Sequence, residues 1–356
     1  LQQILYTMSM KPIWFENFDN QRDLTSNGRL ALQELAELPI DQIVFNRFLE
    51  APVNVRESSA IAALYGERFV VAAVKLIGDN ISQLDVMDGL KDGERVFHIL
   101  HNVVNDSVDD IAWFSDRLFL EASENYRISG FSKKYNPNWP SEADLSNELT
   151  ECLKRIVEGD TVFANARNKE LILSLEIAVD RLEAQNPHLV GRALAKLCSL
   201  YVNESDSLLA NYSAQRFAKW VRPYGLEGTP EVNLSSFLLV ATILKDGFEY
   251  ETAYLVGKIA IGLHYVDLHK YSQNDAWAFV ELNLSMASIC SSLLRKDEAE
   301  SYLSYAFEAA EHQMTKKGQQ KWSPITYSKS LKATSDRLAD SLQYAAAFKG
   351  YKKAVD

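Results

Sequence analysis

The residues best suited to chemistry lie between positions 98 and 110. His98 and His101 stand three apart, a spacing that puts two imidazoles on one face of a helix, and Asp106, Asp109 and Asp110 follow closely. Imidazole and carboxylate together are donors for a transition metal. The aspartates also have a simpler use. They open a helix expected over 108–127, with Asp106 or Ser107 as its cap and Asp109 and Asp110 in its first turn, where the dipole favours anions. His98, His101 and Asp109 are the candidate metal ligands, and a metal-dependent enzyme or effector acting there is the catalytic alternative. His264 and His269 are five apart and diverge on a helix, which makes a poorer pair.

No other arrangement supports catalysis. The chain has no phosphate loop of GxxxxGK[ST] form, no GxGxxG, no HExxH and no GxSxG. The run 106–110 lacks the glycine and terminal glutamate of a calcium loop. Glu121 and Glu124 read as a solvated helix face, because an acid–base pair needs a pocket that separates two pKa values. No catalytic residue is assigned, no cofactor is expected, and the chain reads as a binding protein rather than an enzyme.

Charge limits the partners. The net charge is −11, which disfavours nucleic acid and anionic membranes as bulk partners. Two segments depart from the mean. Residues 79–124 hold eleven Asp/Glu against three Lys/Arg, and residues 311–356 hold nine Lys/Arg against four Asp/Glu. The basic patch is Lys316, Lys317, Lys321, Lys349, Lys352 and Lys353, with Trp322 and Tyr351 beside it. A regulator touching nucleic acid through this C-terminal helix is a further alternative. The two segments could also meet within a chain or between copies, giving a salt-sensitive homo-oligomer.

Composition sets the class. With 356 residues, 47% hydrophobic, 24% charged and only 15 Gly and 9 Pro, the chain is a folded helical protein of two domains. Cys152, Cys198 and Cys290 are far apart and form no CxxC pair, which fits a reducing, cytoplasmic setting. The most apolar run, 69–77, is too short to cross a membrane and contains Lys75. Residues 1–10 are apolar without the charged lead or cleavage pattern of a secretory signal.

The elements that must position any site follow from periodicity and breakers. Trp14, Phe15 and Phe18 are expected to anchor the segment 12–28 on a core. Short helices are expected over 29–38 and 42–50, stopped by Pro39 and Pro52. A long buried helix is expected over 56–77, with a strand over 68–77 as its rival. A further helix is expected over 94–104. Residues 129–140 (SGFSKKYNPNWP) break any helix and mark the domain boundary, as a loop packed on a domain or part of a binding surface. Ser141 and Asp144 form a capping box for a helix to 158. A helix over 161–185 follows, and Asn186-Pro187 restarts the chain as cap and first helical residue.

The C-terminal part repeats. Met286, Ala287, Cys290, Ala299, Leu303 and Ala306 line the facing sides of two helices, with Asp297 as cap of the second. The same offsets recur as Leu197, Cys198, Tyr201, Ala210, Ala214, Phe217 and as Val240, Ala241, Leu244, Ala253, Gly257, Ala260. The sets begin 43 and 46 residues apart. Such self-similarity marks stacked helical hairpins.

The pattern resembles the tetratricopeptide repeat family: large-small-large on the first helix, Ala entering the second, a large residue early at Leu194 and Phe237, and Tyr250 after the turn. It departs from that family at Asn283, Gly257 and Phe217, in the missing terminal proline and in its longer spacing. The resemblance implies a concave surface that binds a peptide or helix of another protein.

The expected architecture is all-α: a helical N-terminal domain over 1–130, then a repeat domain over 141–356. Its hairpins lie near 191–222, 234–266 and 275–310, and a C-terminal capping helix lies over 325–349. The expected function is a non-catalytic scaffold or regulator for another protein. Helical phase gives Arg192, Lys196, Asn203, Ser235, Thr242, Lys245, Asn283 and Ser288 as solvent-facing, partner-binding candidates on the first helices.

Overall fold

The computed structural model describes residues 15–18, 21–26, 29–30, 33, 37–81, 86–103, 111–159, 166–183, 186–224, 232–264 and 273–315, together with 332, 335–336 and 352. The chain is all-α with two small sheets, and it divides into two compact units, residues 1–177 and 178–356.

The first unit begins with a short antiparallel hairpin, β1 (Phe15–Phe18) and β2 (Gln21–Leu24), which pairs Phe15 with Leu24 and Phe18 with Gln21. Trp14 and half of the helix expected over 29–38 lie outside the described residues. Helices α1 (Ile40–Glu50) and α2 (Val53–Ala62) each follow a proline, Pro39 and Pro52, which supplies a helix-compatible φ and needs no donor there.

The single helix expected over 56–77 is not formed. Helix α2 stops at Ala62, and Gly66 takes φ +107°, a conformation open to glycine and costly for other residues. The chain then enters strand β3 (Arg68–Val70) and only afterwards helix α3 (Val71–Ile81). The strand is therefore real but three residues long, because Val71 onward returns to helix.

The helices expected over 94–104 and 108–127 are also broken. Helix α4 (Val86–Arg95) ends before His98 and Asn102, whose φ values of 52° and 62° turn the chain into strand β4 (Leu100–His101). Strand β5 (Ile111–Phe114) comes next, and helix α5 (Arg117–Ile128) starts only after Asp116, whose carboxylate accepts from the Leu118 N–H at 2.9 Å. Asp116 is thus the cap expected at Asp106 or Ser107. Periodicity misled here because Ile111, Ala112 and Phe114 are buried strand residues that also fit a helical stripe.

Strand β5 lies between β3 and β4, antiparallel to both, pairing Phe69 with Ala112 and Leu100 with Phe114. Elements α2, β3, α3, α4, β4 and β5 follow one another in this order, so the sheet is assembled from β3 and a β4–β5 pair that helices separate in the chain. Helix α4 stands just before the β4–β5 pair in the chain. Its outward residues are mixed in sign: Asp88, Asp92 and Arg95 are exposed, and Lys91 lies 4.0 Å from Asp88. That is not the basic stripe nucleic acid requires.

Residues 129–140 pack within this unit. They form helix α6 (Phe131–Tyr135), with Phe131 edge-on to Phe45 at 5.3 Å, Tyr135 stacked on Tyr126 at 6.4 Å, and Trp139 buried. The Arg56 guanidinium lies over the Tyr135 ring at 4.1 Å. Helix α7 (Glu142–Glu158) carries the expected capping box of Ser141 and Asp144, and helix α8 (Asn168–Leu182) follows.

The described residues of the second unit include three helical hairpins: α9 (Pro187–Asn203) with α10 (Ser207–Tyr224), α11 (Leu234–Asp246) with α12 (Tyr250–His264), and α13 (Gln273–Ser292) with α14 (Lys296–Thr315). Within each hairpin the two helices pack together, and the first helices pack in a row, α9 on α11 and α11 on α13. All eighteen residues of the three repeated sets are buried. Two departures from the repeat pattern have packing reasons. Phe217 meets Phe237 of the next hairpin edge-on at 5.4 Å. Gly257 admits Met286, whose Sδ would lie 2.1 Å from any added Cβ.

The three turns share one hydrogen-bond pattern. The N–H groups of Asp206, Glu249 and Arg295 donate to the carbonyls of Tyr201, Leu244 and Cys290 at 2.8–2.9 Å. The preceding residues, Ser205, Phe248 and Leu294, all have φ of 60–64°. This is the Schellman ending of a helix, in which the left-handed residue is usually glycine. Asp297 falls inside α14 rather than capping it, since the turn itself closes at Arg295.

Candidate functional site

The row of first helices places one cluster of candidates together. On α9, Arg192, Ala195, Lys196 and Ser199 recur at helical spacing and so share a face. Facing them are Val232, the cap residue Asn233, and Ser235, Ser236 and Leu239 of α11. Together they line an open cavity of about 400 Å³. Its chemistry is two cations, three hydroxyls and an amide over a small apolar floor.

Local structure fixes these groups. Asn233 accepts from the Ser236 N–H at 2.9 Å through its side-chain oxygen, and the Ser236 hydroxyl donates to the same oxygen at 2.9 Å. The cap that starts α11 therefore also shapes one wall. Helix α9 is seated on α10 by Gly191 against the Trp220 ring, and the indole N–H donates to the Pro187 carbonyl at 2.6 Å. Arg192 follows directly on that close approach.

The other candidates are dispersed. Asn203 is exposed at the end of α9. Thr242 and Lys245 are half-buried on α11, with Lys245 Nζ 3.7 Å from the Asp246 carboxylate. Ser288 is half-buried on α13, where its carbonyl accepts from the Ser292 hydroxyl. Asn283 corrects the expectation: it is buried, and its Nδ2 donates to the Phe279 carbonyl of its own helix at 2.8 Å. The phase argument failed there because α13 is covered nearly all round from Ala278 to Cys290. Ser199 could have been read from its spacing to Arg192 and Lys196. Asn233 and Ser236 could not, since only the packing of α11 on α9 brings that cap to the cavity.

The histidine pair does not sit on one helix. His98 lies in the turn after α4 and His101 on β4, both exposed, with the His101 ring 6.2 Å from that of Trp113. Asp106, Asp109 and Asp110 lie outside the described residues, as do Lys316, Lys317, Lys321, Lys349 and Lys353 of the basic patch; Lys352 is exposed. Among the described residues no group of three or more His, Cys, Asp or Glu is placed to hold a metal ion. All three cysteines are buried thiols. Burial pushes Cys198 up to about 12 and Cys290 up to about 11, so neither is a nucleophile at neutral pH. No helix among the described residues is long and apolar enough to cross a membrane.

No family model matches the chain, and no curated protein matches it significantly. Among solved structures it is similar to a signal transduction ATPase with numerous domains that carries a tetratricopeptide repeat sensor, from Pyrococcus horikoshii. The identity is 9% and the TM-score 0.29, over 89% of this chain and 52% of that one. This chain thus spans about half the length of that protein. With three hairpins of equivalent turn, equivalent buried set and side-by-side first helices, the described residues of 187–315 form a repeat of helical hairpins.

Proposed function

We propose that the protein is a non-catalytic interaction scaffold or regulator that holds an acidic segment of a partner protein in the groove between α9 and α11. The observation that carries this reading is the convergence of Arg192 and Lys196 with Ser199, Ser235, Ser236 and Asn233 around one open cavity. Guanidinium, ammonium and hydroxyl donors suit carboxylates, and a carboxylate docked there would gain charge-assisted hydrogen bonds. A row of side-by-side first helices suits an extended or helical segment, as in helical repeats.

The test is affinity capture from the native source with wild-type protein and an Arg192→Glu/Lys196→Glu double variant as baits. The expected result is an acidic partner held by the wild type, released as salt rises, and absent from the variant. Recovery of the same proteins on both baits would refute the proposal.

A further inference from the structure

A second cavity lies on the other row of helices and is independent of the groove. It has a volume of about 470 Å³ and opens between α12 and α14. Lys258, Ile261 and Gly262 line one side, and Glu298, Tyr302 and Tyr305 the other. That volume is in the range of small-molecule sites.

Three features define what would fit. The walls are apolar and aromatic: Ile261 and Tyr302 are buried, and the rings of Tyr302 and Tyr305 stand edge to face with centroids 6.4 Å apart. Space is left by a missing side chain, since a Cβ at Gly262 would meet nothing within 4 Å. The lining holds one ammonium, Lys258, and one carboxylate, Glu298. Glu298 is already engaged, accepting from the Tyr254 hydroxyl and lying 3.8 Å from Arg295, which also bonds Glu251 at 3.1 Å. Lys258 lies 5.5 Å from the Tyr254 ring, and no carboxylate among the described residues pairs with it.

We infer that this cavity is a binding site for a small planar aromatic carboxylate. The ring lies against Tyr302, Tyr305 and Ile261 over the bare Gly262, and the carboxylate meets the Lys258 ammonium. Burial holds the Tyr302 hydroxyl well above its ordinary pKa, so it stays protonated beside the ligand.

The experiment is calorimetric titration and saturation-transfer NMR of the full chain with 2-naphthoate and its uncharged counterpart, 2-naphthamide. Wild type is expected to bind the acid saturably and the amide about fivefold more weakly, the scale of an exposed ion pair. Lys258→Gln is expected to bind both alike. Gly262→Leu, at a helical position where the added Cβ meets nothing within 4 Å, is expected to occupy the cavity and abolish binding while keeping wild-type circular dichroism. Arg192→Glu, in the other cavity, is expected to bind 2-naphthoate as wild type does. No saturable binding to wild type, undiminished binding to Gly262→Leu, or equal affinity of wild type for acid and amide would overturn the assignment.

Discussion

Replacing Gly191 by alanine is expected to destabilise the protein even though alanine is the better helix former. Alanine in place of glycine inside a helix gains about 1 kcal/mol. At position 191 the new methyl would sit 2.2–2.5 Å from three ring carbons of Trp220, closer than packing allows. The ring has little room to retreat, because it is buried and its N–H is bonded to the Pro187 carbonyl at 2.6 Å. Overpacking of this kind costs about 1–3 kcal/mol and loss of the indole hydrogen bond about 1 kcal/mol more. The net is a loss of about 1–3 kcal/mol once the helix gain is subtracted. Gly262→Ala is the internal control. The same methyl there meets nothing, so that variant is expected to gain about 0.5 kcal/mol. Urea titrations followed by tryptophan fluorescence and circular dichroism should move the two midpoints in opposite directions. A Gly191→Ala protein as stable as wild type would refute the reasoning, and with it the claim that the Trp220 wedge sets where α9 carries Arg192.

Other outcomes follow from the same geometry. Leu294 is 85% exposed with φ 61°, so Leu294→Gly should change stability by less than about 0.5 kcal/mol, strain relief offsetting glycine's entropy, whereas β-branched Leu294→Val should cost about 1 kcal/mol or more, both read by thermal denaturation. The native protein should react with a disulfide reagent at pH 8 at none of its three thiols within minutes, and at all three in urea, measured by released chromophore. The raised Cys198 thiol makes stability pH-dependent in one direction. Its contribution is full below the unfolded value near 9 and is lost as pH rises towards about 12, so alkaline denaturation curves should flatten in Cys198→Ala. Asn283→Leu should be neutral or stabilising and leave partner capture unchanged, because the Asn283 side-chain oxygen is buried without a hydrogen-bond partner.

The repeat was legible because buried positions on packed helices obey a period. Leu197, Val240 and Met286 begin equivalent sets, and the residues at those offsets are the ones that enter the core. Arg192 and Lys196 are half-buried and Ser235 is exposed, because polar residues out of phase with the core lie towards solvent. The three-stranded sheet was not legible. Its strands are two to four residues long, too short for an alternating pattern to rise above a helical one, and one strand pairs residues from about 68 and 113.

By itself the sequence determined the helical class, the capping box at Ser141, the hairpin spacing and the acidic balance, because each depends on contacts or charges local along the chain. Tertiary structure alone decided that Gly66 ends a helix, that Asn283 is buried, that the cap of α11 joins the face of α9, and that Gly262 leaves a cavity beside Tyr302. Those depend on which elements meet, and meeting is set by packing between residues far apart in the chain.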